Sequence, residues 1–298
     1  MKQAHGLSER RACQLIGAER TSVRYRSHRP DDGSIRSRLC DLASERRRFG
    51  YRRLGWMLRR EGAVVNLKKV YRLYREEGLT VRRRRGRKRA TGARAPLPLP
   101  QAANQRWSLD FMADQLANGR RFRILTMVDD FTRECLATVA DTSLPGVRVV
   151  AELERIVERR GRPAAIVSDN GTEFTGRAVL AWAADQAIAW HTIQPGKPVQ
   201  NAFIEAFNGR LRDECLNEHW FSSMAEARTI IEAWRIDYNT VRPHDRLGRV
   251  PPAVFAMTGD PTMLRGGALR LTEGFAPHPV APPSPQGSNQ EQTQPTPG

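Results

Sequence analysis

The chain runs from four small or apolar residues, 164–167, straight into the polar, glycine-bearing stretch Ser168-Asp169-Asn170-Gly171-Thr172-Glu173-Phe174. A run this short has the length of a strand, and the break that follows ends it. The spacing therefore predicts a buried strand with Asp169 at its C-terminal mouth. Thirty-five residues separate Asp169 from Glu205, which lies in a stretch with helical periodicity. Phe203, Phe207 and Leu211 recur at four-residue spacing and predict a buried stripe. Asn201, Glu205, Asn208 and Arg212 share the opposite, polar stripe, so Glu205 is expected to look across a polar surface as a ligand would.

The elements around this pair alternate in type. A strand is predicted over 107–112, with Ser108, Asp110 and Met112 on one face. A second follows the Asn118-Gly119 hairpin signal over 122–128, and a third covers 135–139. Val147, Val150, Leu153, Ile156 and Val157 mark an amphipathic helix that stops at Gly161. After the strand at 164–167 come a helix over 178–184 and a strand over 188–192. Ser223 and Glu226 form a capping box for a helix that buries Ala227, Ile230, Ile231, Trp234 and Tyr238. Three antiparallel strands followed by alternating helices and strands is the ribonuclease H-like order. The fold class read here is α/β: a mixed five-stranded sheet with flanking helices, preceded by an all-α helix-turn-helix region.

Charge is divided unevenly. Residues 1–95 hold 28 Lys and Arg against 9 Asp and Glu, although the whole chain has a net charge of only +17. The basic excess belongs to the front third, which suits a module that neutralises phosphates. Two short helices are predicted in residues 1–30: Ser8 caps the first, whose face is Ala12, Leu15 and Ile16, and Thr21 caps the second. Residues 31–81 read as a helical DNA-binding domain. Ile35, Leu39 and Leu42 lie on one helix, a second begins with Phe49-Gly50-Tyr51 and runs to Glu61, and Asn66 caps a third with the face Val70, Tyr71 and Tyr74. Lys68, Lys69, Arg72 and Arg75 line the exposed side of that third helix as candidate DNA contacts. Residues 82–105 form a basic, proline-bearing linker in which Arg82, Arg83, Arg84, Arg85, Arg87, Lys88 and Arg89 are expected along a phosphate backbone. A core follows over 106–258. The tail, 259–298, is expected to be largely disordered from about Ala276.

Cys13, Cys40, Cys135 and Cys215 are far apart and form no C-x-x-C pair, so they read as reduced, mostly buried thiols with no zinc. No run of eighteen apolar residues and no signal-peptide core is present, so no membrane partner is expected.

Four motifs in order carry a resemblance. Trp107-Ser-Leu-Asp-Phe-Met-Ala-Asp114, Ser168-Asp-Asn-Gly-Thr-Glu-Phe174, the stretch Pro195 to Asn217 around Glu205, and Tyr238-Asn-Thr-Val-Arg-Pro-His244 resemble the DDE transposases and integrases. The likeness is greatest to the OrfB transposases of the insertion-sequence-three family. Where those relatives follow Arg-Pro-His with Ser-Ser-Leu-Gly, this chain has Asp245-Arg246-Leu247-Gly248. The resemblance implies a catalytic and metal-binding triad of Asp110, Asp169 and Glu205 holding two Mg²⁺ ions, with Mn²⁺ as substitute, about 3.5–4 Å apart. It implies nicking of insertion-sequence ends and strand transfer, on double-stranded DNA, by a homo-oligomer in the bacterial cytoplasm at the nucleoid. An upstream-frame OrfA protein is the expected partner or fusion. Asn170, Lys197, Gln200 and Asn201 are candidate DNA contacts near the site. Asp114, about 13 Å along an extended strand from Asp110, is set aside. Asp129 and Asp130 are read as turn or structural acids, and Glu173 as solvated. A ribonuclease H-like nuclease without strand transfer, or a DNA-binding regulator with an inactive core, are the alternatives.

Overall fold

A computed structural model describes residues 6–26, 32–81, 99–193 and 201–258. The basic run 82–89, Lys197, Gln200 and the tail from 259 lie outside the described residues.

Helix α1 (Glu9–Ile16) is capped by Ser8, whose hydroxyl accepts from Arg11 N. It buries only Ala12 and Cys13, while Leu15 and Ile16 are each 57% exposed, so the expected apolar face is mostly uncovered. Helix α2 (Arg20–Arg24) starts before Thr21, with Glu19 in the cap position and no side-chain cap. Helices α3 (Gly33–Glu45), α4 (Tyr51–Arg60) and α5 (Leu67–Glu76) enclose a small core of Leu39, Leu42, Leu54, Leu58, Val70 and Leu73. The buried face of α5 is Val70, Leu73 and Tyr74, the i, i+3, i+4 set. Tyr71 instead lies on the surface against Tyr51, with ring centroids 4.8 Å apart. Asn66 caps α5 by accepting from Lys68 N, as its spacing indicated.

The core is one five-stranded sheet of order β3-β2-β1-β4-β5. Strands β1 (Arg106–Gln115), β2 (Arg121–Asp129) and β3 (Cys135–Asp141) are antiparallel. Strand β4 (Ala165–Ser168) runs parallel to β1, and β5 (Ala189–Thr192) parallel to β4. The β1–β2 turn places Gly119 at φ 82°, the left-handed region that glycine enters without strain. Helices α6 (Gly146–Arg160), α7 (Thr172–Thr175) and α8 (Arg177–Asp185) cover one face through Val149, Leu153, Phe174, Val179 and Trp182. Val147, expected inside, is 67% exposed, because the buried row of α6 is Val149, Leu153 and Ile156.

Helices α9 (Ala202–Glu214) and α10 (Met224–Thr240) cover the other face. A last helix, α11 (Pro252–Thr258), opens with a proline, which lacks the N–H that a first turn leaves unused, and packs on α10. Alternation sorts the strands cleanly. Leu109, Leu125 and Met127 face α6 and α8, while Ile124 and Val128 face α9 and α10. Each large side chain buried in this way stabilises the fold by about 1.5–3 kcal/mol relative to exposure.

Candidate active site

The pairing register alone brings two carboxylates level. Strands β1 and β4 run the same way, and Ser108 is paired with Val167. Two residues further along each strand come Asp110 and Asp169, the second just past the end of β4. A period of two also keeps Asp110 on the face of Ser108, toward α9. Asp169 Oδ1 accepts from Gly171 N at 3.0 Å, which closes the turn at the strand mouth. A Cβ on Gly171 would stand 3.0 Å from that same oxygen, so a side chain there presses on the carboxylate.

Strand β4 pairs with β1 only as far as Ser108, and beyond it that edge of β1 has no strand neighbour among the described residues. The polar stripe of α9 takes the strand's place. Asn201 Nδ2 donates to Leu109 O at 3.2 Å, and Arg212 donates to Ala113 O at 2.6 Å and to Asp114 Oδ2 at 3.2 Å. Between them Asn208 Nδ2 donates to Asp110 Oδ2 at 2.8 Å, and its own Oδ1 accepts from Thr126 Oγ1 at 2.9 Å. Glu205 belongs to this stripe and is exposed, three residues before Asn208. The opposite stripe is Ile204, Phe207 and Leu211, not the expected Phe203 row. Strict four-residue spacing drifts around a 3.6-residue helix. Phe203 is therefore half-buried, with the Arg133 and Arg106 guanidinium groups 3.7 and 5.6 Å from its ring centre.

Burial pushes the Asp110 carboxyl up to about 6, and repulsion from Asp169 and Glu205 adds to it, against hydrogen bonds from Phe111 N and Asn208. Partial desolvation also raises Glu205. Three carboxylates thus share one field, the situation that a cation relieves. The donors are all oxygen, which fits a hard divalent ion. Among the described residues, however, no three His, Cys, Asp or Glu side chains already stand together as a complete metal-holding group. Closing the three acids further without a counter-charge is opposed by their repulsion.

The neighbouring acids are occupied elsewhere. Asp114 pairs with Arg212, and β1 continues past it. Asp129 is buried and accepts from Asn104 N, Phe131 N and Thr132 N, while Asp130 accepts from Ser108 Oγ and Arg106. Glu173, expected in solvent, is half-buried and paired with Arg123, whose guanidinium lies 4.1 Å from the Phe111 ring centre.

The candidate DNA contacts separate. Asn201 is 3% exposed and braces β1, so its amide is not presented to a ligand. Asn170 is exposed and donates to Ile193 O. On α5, Lys69 and Arg72 are half-buried on Asp32, at 2.8 and 2.5 Å, whereas Lys68 and Arg75 are exposed with no ion pair among the described residues. Sequence reasoning did not place Asn208 and Thr126 in the site. The three-residue step from Glu205 to Asn208 was the available signal.

A mixed sheet of this order, with α6, α7 and α8 on one face and the helix bearing Glu205 on the other, is the ribonuclease H-like fold of integrase catalytic cores. Residues 100–198 and 186–252 match two family models, each described as an integrase core domain, and residues 38–87 match an HTH-like domain. The chain is 50% identical over 258 residues to a 31.7 kDa protein of insertion element IS407 from Burkholderia multivorans, covering 86% of this chain and 93% of that one. It is 51% identical over 251 residues to a 39.2 kDa protein of IS476 from Xanthomonas euvesicatoria, covering 84% and 72%. Over 263 residues it is 24% identical to a 31 kDa protein of IS600 from Shigella sonnei, covering 82% and 96%. The chain belongs to the insertion-sequence transposases of the OrfB type. Among the described residues no helix is long and apolar enough to cross a membrane.

Proposed function

We propose that the chain nicks the ends of its insertion sequence to free a 3′-OH and then joins that end to a new phosphodiester, using Asp110, Asp169 and Glu205. The observation that carries this reading is that Asp110 and Asp169 each lie two residues beyond the paired Ser108 and Val167, with Asp110 bonded to Asn208 of the helix that bears Glu205. These three acids are the residues to hold Mg²⁺ or Mn²⁺. Such ions, when bound, activate the attacking oxygen and stabilise the departing one in an in-line displacement. Asn208 holds the Asp110 carboxylate in one orientation and donates to its charged form, while Thr126 fixes which end of the Asn208 amide faces Asp110. Water serves as nucleophile in the first displacement and the freed 3′-OH in the second, so one site serves both. The exposed cations of α5 and the 82–89 run supply phosphate contacts, and assembly on DNA as a homo-oligomer, with an OrfA partner, completes the proposal.

The test is an assay of the purified chain on DNA carrying the element's own ends. Nicked and joined products in Mg²⁺, both lost in EDTA, support the proposal. Nicks without joined products indicate a nuclease, and binding without any cleavage indicates a regulator.

Two further outcomes are expected. Asn208→Leu removes the donor to Asp110, so the acid limb of the pH–rate profile shifts upward and the rate falls about 10–100-fold. The sign follows from the lost bond, because a carboxylate without its donor is protonated at higher pH. Replacing Lys68 and Arg75 together by Ala lowers affinity about equally for all DNA sequences and reduces the salt slope by about two units, as binding titrations over a salt series will show. The same change at Lys69 and Arg72 has the smaller effect on the slope, because Asp32 and Glu76 already pair with them.

A further inference from the structure

Among the described residues, the ion pairs found between the helical region and the core point one way, with arginines on the helical side and carboxylates on the core. Arg46 reaches Asp237 of α10 at 2.5 Å, Arg48 stands 3.5 Å from Glu218, and Arg53 of α4 lies 3.1 Å from Glu214. Arg60 adds a bond to Val241 O at 2.6 Å. In return, the core's Arg242 and Arg249 lie 5.7 and 5.0 Å from the ring centres of Phe49 and Trp56.

Glu214 is the centre of this boundary. It ends α9, where an acid opposes the helix dipole, so its position is explained by its partners. Its side chain is 9% exposed and takes two bonds from Arg242, at 2.7 and 2.6 Å, besides the one from Arg53. Burial alone would raise the Glu214 carboxyl, but Arg242 and Arg53 hold it below the usual range. Exposed pairs are worth little, whereas a desolvated carboxylate bonded by two guanidinium groups fixes a geometry. Glu205 lies nine residues earlier on the same helix, about 13 Å along the axis at the usual rise. Whatever clamps one end of so short a rod also sets where the other end lies.

We propose that Glu214 is a positioning residue. It ties Arg53 of the helical region to the helix bearing Glu205, so that DNA gripped by α4 and α5 meets the acids at one phosphate. The inference rests on the strand-transfer reading above for what happens at that phosphate, but not for the register itself. It also assigns Arg46, Arg53 and Arg60 to the core and not to DNA.

The test maps where α9 lies on bound DNA without using the enzyme's own chemistry. Iron–EDTA attached to an Ala206→Cys variant, Ala206 being exposed, cuts bound DNA near its tether, and the parent chain without that cysteine gives the background. In the otherwise unchanged chain the cuts are expected to cluster at one place. With Arg53→Gln, which leaves the Glu214–Arg242 pair intact, they spread over several nucleotides while DNA affinity stays within twofold. Nicking at the correct phosphate then falls about 100-fold or more, since a misplacement of even about 1 Å costs that much. An unchanged cutting pattern in Arg53→Gln overturns the proposal, as does a tenfold loss of affinity with the pattern still sharp, since Arg53 would then be a DNA contact. Should Arg53→Gln fail to fold, Arg46→Asp and Asp237→Arg replace it: each alone spreads the pattern and the two together sharpen it again. Singles that leave the pattern sharp refute the proposal. Focused tethered cuts that spread in Arg53→Gln, from a chain that never nicks DNA, sustain this inference while refuting the strand-transfer reading.

Discussion

Asp169→Asn is expected to lower end nicking and end joining together by about a thousandfold or more, with DNA affinity in EDTA unchanged within twofold. The substitution is nearly isosteric. The amide oxygen can still accept from Gly171 N, so the turn after β4 keeps its bond and the fold its stability. What is lost is a charge at the point where β1 and β4 stand level, and with it the ability to hold a hard cation there. Several kcal/mol of transition-state stabilisation is the usual share of such an ion, and about 4 kcal/mol corresponds to that thousandfold. Glu205→Gln is expected to match it. Asp110→Asn is expected to abolish both steps without raising the melting temperature of the metal-free protein: it removes a partly desolvated charge but leaves one of the two donors, Phe111 N or Asn208 Nδ2, facing an NH2 group. Gel assays of nicked and joined DNA, beside thermal melts in EDTA, check all three variants. An Asp169→Asn protein of normal activity refutes the site.

The position of Asp169 was legible because a strand's end is marked locally, by four apolar residues and a glycine-bearing break. Asp110 was legible because alternation along β1 fixes its face. The side of α9 that meets the sheet was harder to read. Amphipathic reasoning equates a polar stripe with solvent, and Asn201, Asn208 and Arg212 form such a stripe. Here Asn201 and Arg212 satisfy carbonyls of β1 beyond the point where β4 stops, and Asn208 donates to the Asp110 carboxylate, a non-local fact that no spacing within the helix records. The same limit explains the arginines. Counted along the chain, Arg46, Arg53, Lys69 and Arg72 all add to a basic front third. In the fold, Asp237, Glu214 and Asp32 already hold them in ion pairs. Net charge identified the region but not which of its cations remain for DNA.

The closing Arg-Pro-His motif is where stability and positioning separate. Arg242 is 2% exposed, bonded twice to Glu214, with its guanidinium 5.4 Å from the Tyr238 ring centre and its backbone carbonyl 2.9 Å from His244 Nδ1. The histidine, held down to about 2 by burial and by Arg242, is neutral at physiological pH. It therefore carries its proton on Nδ1, donated to that carbonyl. Arg242→Met keeps the apolar stem but leaves the Glu214 carboxylate buried with Arg53 alone. Breaking a buried pair from one side costs about 3–5 kcal/mol, so the melting temperature is expected to fall by about 10 °C or more. Adding Glu214→Met removes the stranded charge, and because apolar replacements of a buried pair are often neutral, most of that loss is expected to return. The double variant should then melt near the parent temperature and bind DNA normally, yet scatter its tethered cuts, since Arg53 has lost its carboxylate partner in the core. A double variant as unstable as Arg242→Met alone would show that the contribution of Arg242 lies in packing against Tyr238 and Phe49 and not in its bond to Glu214.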